Sequence, residues 1–300
     1  MLHGPDAIPA GLVARIRSFI DDRIAAAPLG RTVTPAEMMP LLDGVITADG
    51  LGPDAAWDRF VGSVAANTVG LDSERFLAFI PASPSAAGVW MEAAAGAASF
   101  SAESWLEAAG AVAAENQVLR WIADLMGMPE AAGGCFMSGG SIGNLSALAV
   151  AREQQRGRAV AVADTAHASV GNALRLLDLR DVIVVPTGDD GRFTGASLRS
   201  ALGDRRDLGI IVAAAGSTNA GVVDDLDGLA DVAAEQGAWL HVDGAYGAAA
   251  LLLPERRALF EGTGRADSAI IDPHKWLFAP LGSCALLYRD PSLAAAVHTQ

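Results

Sequence analysis

The sequence predicts an α/β chain built on a mainly parallel sheet, preceded by a helical segment. Three observations carry this. From Gly134 onward, short apolar runs alternate with helical patterns, the signature of βαβ units. The first 95 residues have no such runs and are broken by Pro28, Pro35, Pro40 and Pro53. The chain of 300 residues, 51% hydrophobic, is long enough for one large α/β domain with an added helical piece. The expected organisation is therefore an N-terminal helical arm over residues 1–95 and a large domain over residues 96–300.

In chain order, Leu12, Val13, Ile16, Phe19, Ile20 and Ile24 recur at helical spacing, with Arg15, Arg17 and Asp22 between them, and predict an amphipathic helix from about Ala10 to Ala27. Thr34-Pro35-Ala36-Glu37 reads as an N-cap followed by proline at the first helical position. Such an arm has little core of its own, so its apolar face must pack on a symmetric partner subunit or on its own large domain; a homodimer is the favoured expectation. After Pro81-Ala82-Ser83-Pro84-Ser85 comes a small-residue stretch to Gly96, and Trp105 to Met126 reads as a long helix. Strands are expected at Ala159–Ala163, Val182–Val185, Ile210–Ala214, Trp239–Val242, Ser268–Ile271 and Ala285–Tyr288. Leu226–Gln236 reads as a helix stopped by Gly237.

A net charge of −14 argues against a nucleic-acid partner, since no basic patch is present to neutralise phosphates. Cys135 and Cys284 lack the spacing of a zinc site or redox motif, no metal site is expected, and a reducing cytoplasm is the natural setting. Met1-Leu2-His3-Gly4-Pro5-Asp6 shows no basic region leading into an apolar stretch, and no apolar run is long enough to span a bilayer. A soluble, unexported chain with no membrane partner is expected.

The chemistry begins at Asp267-Ser268-Ala269-Ile270-Ile271-Asp272-Pro273-His274-Lys275-Trp276, where a lysine closes an apolar strand. An amine in a partly dry pocket loses some preference for its charged form and can condense with an aldehyde, pyridoxal 5'-phosphate (PLP) being the obvious one. Upstream, Trp239-Leu240-His241-Val242-Asp243-Gly244-Ala245-Tyr246-Gly247 delivers a carboxylate at a strand end. Asp243 there suits a pyridine nitrogen, whose protonation makes the ring an electron sink. Both side chains would emerge at the carboxyl ends of strands, where open α/β sheets place ligands. Taken singly, the lysine is a solvated surface group and the aspartate a turn former.

Met137-Ser138-Gly139-Gly140-Ser141-Ile142-Gly143-Asn144 opens a helix with glycines and hydroxyls, an anion cradle in which Gly140 and Ser141 are the phosphate ligands. No Gly-Lys-Ser/Thr follows, so it is not a nucleoside triphosphate loop; alone it is equally a capped turn. His167, after a strand, can stack on a pyridine ring and keep its polar tip for proton transfer. His241 shares a strand face with Asp243 and either orients that carboxylate or is a buried structural histidine. In Ala213–Gly221, Thr218 either contacts the cofactor or belongs to an ordinary polar turn, which Asp224 shapes.

These segments, in this order, resemble the group II PLP-dependent decarboxylases, which include aromatic-amino-acid, glutamate and diaminobutyrate decarboxylases. The resemblance spans roughly Phe76 to Asp290 and is most specific at His241–Tyr246 and Pro273–Trp276. It implies an aspartate-aminotransferase-type (fold type I) large domain, normally dimeric with the site at the subunit interface. It also implies that Lys275 anchors the cofactor covalently, that Asp243 pairs with the pyridine nitrogen and that His167 stacks on the ring. Gly140, Ser141 and His274 would hold the phosphate, and Thr218 and Ala245 would line the ring. Three departures stand out. Asp272 replaces a usual asparagine, awkwardly beside a phosphate unless hydrogen-bonded or turned away. Gly282-Ser283 replaces a common Asp-Cys, and the chain ends at Gln300, before the small C-terminal domain and the loop carrying a catalytic tyrosine. The expected activity is decarboxylation of an L-amino acid to its amine and carbon dioxide. Phe79-Ile80-Pro81 matches a pocket wall and leans toward an apolar or aromatic substrate. The alternatives are aldehyde synthesis, lyase or aminotransferase chemistry on the same residues, or a non-catalytic, truncated cofactor-binding relative.

Overall fold

The structure, a computed structural model, describes residues 4, 7–80, 83–102 and 104–298. Most of the Met1–Asp6 opening, Pro81 and Gln300 lie outside the described residues. The chain divides into two compact units, Met1–Ala86 and Ala87–Gln300. The division falls where a helix begins; a boundary at 95/96 would cut that helix.

In the first unit, α1 (Ala10–Ala25) ends slightly before the expected Ala27, with Leu12 its buried residue. Arg15 of α1 pairs with Asp54 at 3.2 Å and with Asp58, both on α3 (Pro53–Arg59). Phe19 meets Trp57 and Phe60 edge-on at 5.5 and 5.8 Å. Between these helices, α2 (Pro35–Met38) starts at the capping box expected from Thr34 and Glu37. The Glu37 N–H donates to Thr34 Oγ1 at 3.3 Å and the Thr34 N–H to Glu37 Oε2 at 2.8 Å.

The second unit opens with α4 (Ala86–Ala98), covering what the sequence offered as a small-residue stretch to Gly96, and α5 (Trp105–Leu125), kinked at Ala108. There follow β1 (Gly133–Met137), α6 (Gly140–Gln154), β2 (Ala159–Ala163), α7 (Ala168–Leu176), β3 (Val182–Val185), α8 (Gly195–Leu202) and β4 (Leu208–Ala214). Next come α9 (Leu226–Gln236), β5 (Trp239–Asp243), β6 (Ser268–Ile271), β7 (Cys284–Tyr288) and α10 (Pro291–His298). Three 3₁₀ helices fill the connection from β5 to β6. As expected, α9 stops at Gly237, whose φ of 59° is the left-handed C-cap conformation.

The seven strands lie in the order β1-β7-β6-β5-β4-β2-β3. All neighbours are parallel except β1/β7 and β7/β6, so β7 alone runs against the rest. Two apolar layers cover the two faces. Ile211, Ala213, Leu240 and Val242 pack with Leu119 and Ile122 of α5, Leu198 of α8 and Leu229 of α9. Ile210 and Val212 point the other way, against Ala147 and Leu148 of α6 and Val170 and Leu174 of α7. Burial on both faces explains why these strands read as unbroken apolar runs.

Candidate active site

Because β1, β2, β4, β5 and β6 share a direction, their carboxyl ends meet along one sheet edge, and the sequence-predicted residues all fall there. Gly140 and Ser141 open α6 after β1, and His167 precedes α7 after β2. Thr218 follows β4, Asp243 ends β5 and Lys275 lies in the turn after β6.

That turn is held by the Asp272 N–H donating to the Ala245 carbonyl at 3.1 Å and by the Lys275 N–H donating to the Asp272 carbonyl at 3.0 Å. The Asp272 carboxylate is buried, and Lys275 Nζ lies 3.0 Å from its Oδ2. The acid that replaces asparagine is thus compensated by the lysine four residues beyond the strand. His274 Nε2 stands 3.7 Å from the same oxygen, while its Nδ1 lies 2.5 Å from the Ser283 carbonyl oxygen and 3.1 Å from the Ser283 nitrogen. The Gly282-Ser283 departure therefore still grips His274, through backbone. Trp276 meets Tyr246 edge-on at 4.4 Å, which ties the lysine turn to the loop after β5.

Asp243 Oδ1 accepts the Ala245 N–H at 3.1 Å, and Oδ2 accepts Asn144 Nδ2 at 2.9 Å. Asn144, buried on α6, also bonds Ser169 Oγ at 3.0 Å and His241 Nε2 at 2.8 Å. Ser169 in turn lies 2.8 Å from His167 Nδ1, which caps α7 by accepting the Ser169 N–H at 3.2 Å. His241 is buried and reaches the Asp243 carboxylate through Asn144, so it is placed to orient that carboxylate indirectly. Burial depresses the His241 imidazole to about 4, against a smaller opposing pull from Asp243. Asp224 is likewise buried, accepting the Phe193 N–H at 3.0 Å and the Ala214 N–H at 2.6 Å, and burial raises its carboxyl to about 6.

The site suits a phosphorylated, heteroaromatic aldehyde. The Gly140 and Ser141 N–H groups begin a helix and have no partner among the described hydrogen bonds. A Cβ at Gly140 would come 2.9 Å from Asp272 Oδ2 and 3.3 Å from Ala245 Cβ, so glycine keeps this cradle open. Asp272 Oδ1 and Ser283 Oγ are buried without partners beside His274, Lys275 and the cradle. Gly140, Ala245, Asp272, His274 and Lys275 form one contact set. Asp243 and His167 form another through Asn144 and Ser169, and Ala245 joins the two. Thr218 stands exposed at the same edge and makes no hydrogen bond among those described.

Asn144, Ser169 and Ser268 were not singled out in the sequence. The one available signal was Asn144 at the fourth residue after the Gly139-Gly140 pair, one helical turn into α6 and therefore turned toward the sheet.

The model of the pyridoxal-dependent decarboxylase conserved domain matches residues 63–298. The aromatic-L-amino-acid decarboxylase of Bacillus atrophaeus is 32% identical over 280 residues, covering 90% of this chain and 58% of that protein. Phenylacetaldehyde synthase of Petunia hybrida is 29% identical, over 73% of this chain and 48% of its own length. The crystal structure of Oryza sativa TDC with PLP and tryptamine superposes with a TM-score of 0.92 at 26% identity, covering 100% of this chain and 67% of that one. The chain thus spans about half the length of these curated relatives.

Proposed function

Since this chain belongs to the pyridoxal-dependent decarboxylase family, we propose that it binds PLP through Lys275 and supports decarboxylation of an L-amino acid to the corresponding amine and carbon dioxide. One observation carries the reading: Lys275, Asp243, His167 and the Gly140–Ser141 helix start emerge at the carboxyl edge of a single sheet, within one connected set of contacts. When bound, PLP supplies a protonated ring that takes up the electron pair left by the departing carboxylate.

The chain's own residues have separable tasks. Lys275 would offer the amine that holds the cofactor. Asp243, with both oxygens already oriented, would pair with the ring nitrogen and favour its protonated form. His167, exposed on one side, presents its ring face for stacking and its Nε2 for proton transfer. Gly140, Ser141 and His274 hold the phosphate, and Ala245 and Thr218 line the ring.

The substrate class proposed is an apolar or aromatic amino acid, on the sequence match of Phe79-Ile80 alone. The working form is a cytoplasmic homodimer. No helix among the described residues is long and apolar enough to cross a membrane. The first test is an absorption spectrum with added PLP: a visible, lysine-dependent band in the wild type, absent in Lys275→Ala. Retention of the band in the variant would sink the assignment. Aldehyde synthesis is a second reading, favoured by the likeness to phenylacetaldehyde synthase. Carbon dioxide with amine supports the first, and carbon dioxide with aldehyde supports the second.

A further inference from the structure

The hydrogen bonds behind Asp243 have only one consistent direction. A carboxylate only accepts, so the Asn144 edge at Asp243 Oδ2 must be its NH₂ group, which also donates to Ser169 Oγ. That turns Asn144 Oδ1 toward His241 Nε2, which must therefore carry a proton. The ring is neutral because burial depresses it to about 4, so Nδ1 is bare and accepts the Ser268 hydroxyl at 2.9 Å. Read from the far end the answer is the same. The Trp239 indole can only donate, and its Nε1 meets Ser268 Oγ at 2.9 Å, leaving the Ser268 proton for His241. On the other branch, the Ser169 N–H donates to His167 Nδ1, so that nitrogen is bare and the Ser169 hydroxyl donates to it as well.

We propose that Asn144 is the positioning residue of this site: its single amide aims the Asp243 carboxylate and, through Ser169, fixes the orientation and tautomer of His167. A buried Trp239–Ser268–His241 stack holds the amide itself. This rests on the reading of Asp243 and His167 as cofactor-facing groups, and it adds that both are set from one point. Asn144, His241 and Ser268 are almost fully buried, so loss of one member leaves buried polar partners unpaired. The stack leaves Asp243 Oδ1 to the Ala245 N–H, and Ser169 holds the bare Nδ1 of His167, leaving the ring proton on Nε2.

The test uses the full chain, its Asn144→Asp and Ser169→Ala variants, and two readouts. Without cofactor, long-range proton–nitrogen spectra of ¹⁵N-histidine-labelled protein should show the Nε2–H tautomer at both His167 and His241 near neutral pH, with His167→Gln and His241→Gln assigning the signals. With PLP ¹⁵N-labelled at the ring nitrogen, the wild type should show a protonated nitrogen. Asn144→Asp should move that signal toward the unprotonated position and weaken PLP binding roughly tenfold or more, because it sets a second acceptor against Asp243. Ser169→Ala should leave the ring nitrogen protonated but release His167 into mixed tautomers. An Nδ1–H tautomer at either wild-type histidine overturns the proposal, as does a folded Asn144→Asp protein with unchanged ring-nitrogen signal and affinity. Should Asn144→Asp not fold, Ser169→Ala decides: a His167 still locked in one tautomer overturns the coupling. A wild type that forms no lysine-dependent PLP band defeats the functional reading instead, while the histidine tautomers still test the network.

Discussion

Asp272 concentrates a conflict between the empty and loaded states in one side chain. In the protein alone its buried carboxylate faces Lys275 Nζ at 3.0 Å, and breaking a buried ion pair leaves an uncompensated charge. Were Lys275 to hold the cofactor as proposed, it would leave that pairing, and the carboxylate would stand unpaired beside the proposed phosphate cradle. Asp272→Asn should therefore destabilise the cofactor-free protein by about 1–3 kcal/mol and at the same time tighten PLP binding about tenfold. Thermal denaturation and absorbance titration measure the two effects, and their opposite signs identify the cause. His241 and Asp224 make stability depend on pH in opposite senses. His241 is held at about 4, below its ordinary 6.5, so the unfolded chain takes a proton more readily. Its contribution is complete above pH 6.5 and is lost as pH falls toward 4. Asp224 is raised to about 6 from 3.8, so the fold takes the proton more readily. Its contribution is complete below pH 3.8 and is lost as pH rises through 6. Each shift is worth roughly 3 kcal/mol when fully expressed. Urea midpoints between pH 4 and 7 should show the acid-side loss diminished in His241→Gln and the opposing trend diminished in Asp224→Asn.

At the scale of elements, α6 is the piece whose placement matters most, since its first turn makes the cradle and its second carries Asn144. It lies close to the sheet because residue 143 is glycine. A Cβ there would meet Cys284 Sγ at 2.9 Å and Ile270 Cγ2 at 3.0 Å. Gly143→Ala should lift the helix, costing about 1–3 kcal/mol of stability by overpacking and weakening PLP binding. Gly110→Ala in α5, where nothing lies within 4 Å, should be neutral or stabilising by up to about 1 kcal/mol through helix propensity alone. The melting temperature should fall in Gly143→Ala and should not fall in Gly110→Ala. The same comparison shows what was legible in advance. Strands such as Ala159–Ala163 and Ser268–Ile271 were readable because burial on both faces writes an unbroken apolar run. The strand Gly133–Met137 was not, since its two glycines lack strand propensity and its antiparallel pairing with β7 is a long-range fact. Helix α4 escaped because its large apolar residues, Val89, Trp90 and Met91, are consecutive rather than helically spaced among alanines and glycines, and none of the helix is buried. Lys275 and Asp243 stood out because charged groups at strand ends contrast with their neighbours. Asn144 and Ser169 did not, because polar residues in a helix are ordinary until their partners, distant in sequence, are known.

For the whole molecule, the balance lies between charge and exposed apolar surface. With a net charge of −14, copies of the chain repel one another, and only a sufficient apolar face brings two together. Helix α4 buries none of its residues, and it is followed by exposed Phe100, Trp105 and Leu106, the last 93% exposed. Met91 on α4 is 67% exposed. Apolar surface concentrated in this way marks an interaction face, and a second copy is the partner the family reading proposes. Sedimentation equilibrium should therefore find a dimer that tightens as salt rises from about 0.05 to 0.5 M, because screening removes the repulsion and leaves the apolar contact. Met91→Glu with Leu106→Glu adds charge where the apolar contact would form, and should give a monomer whose melting temperature at low protein concentration matches that of the wild type. A wild type that sediments as a monomer at all salt concentrations would assign this face to something other than a second copy. A dimer that survives both substitutions would place the contact elsewhere on the chain.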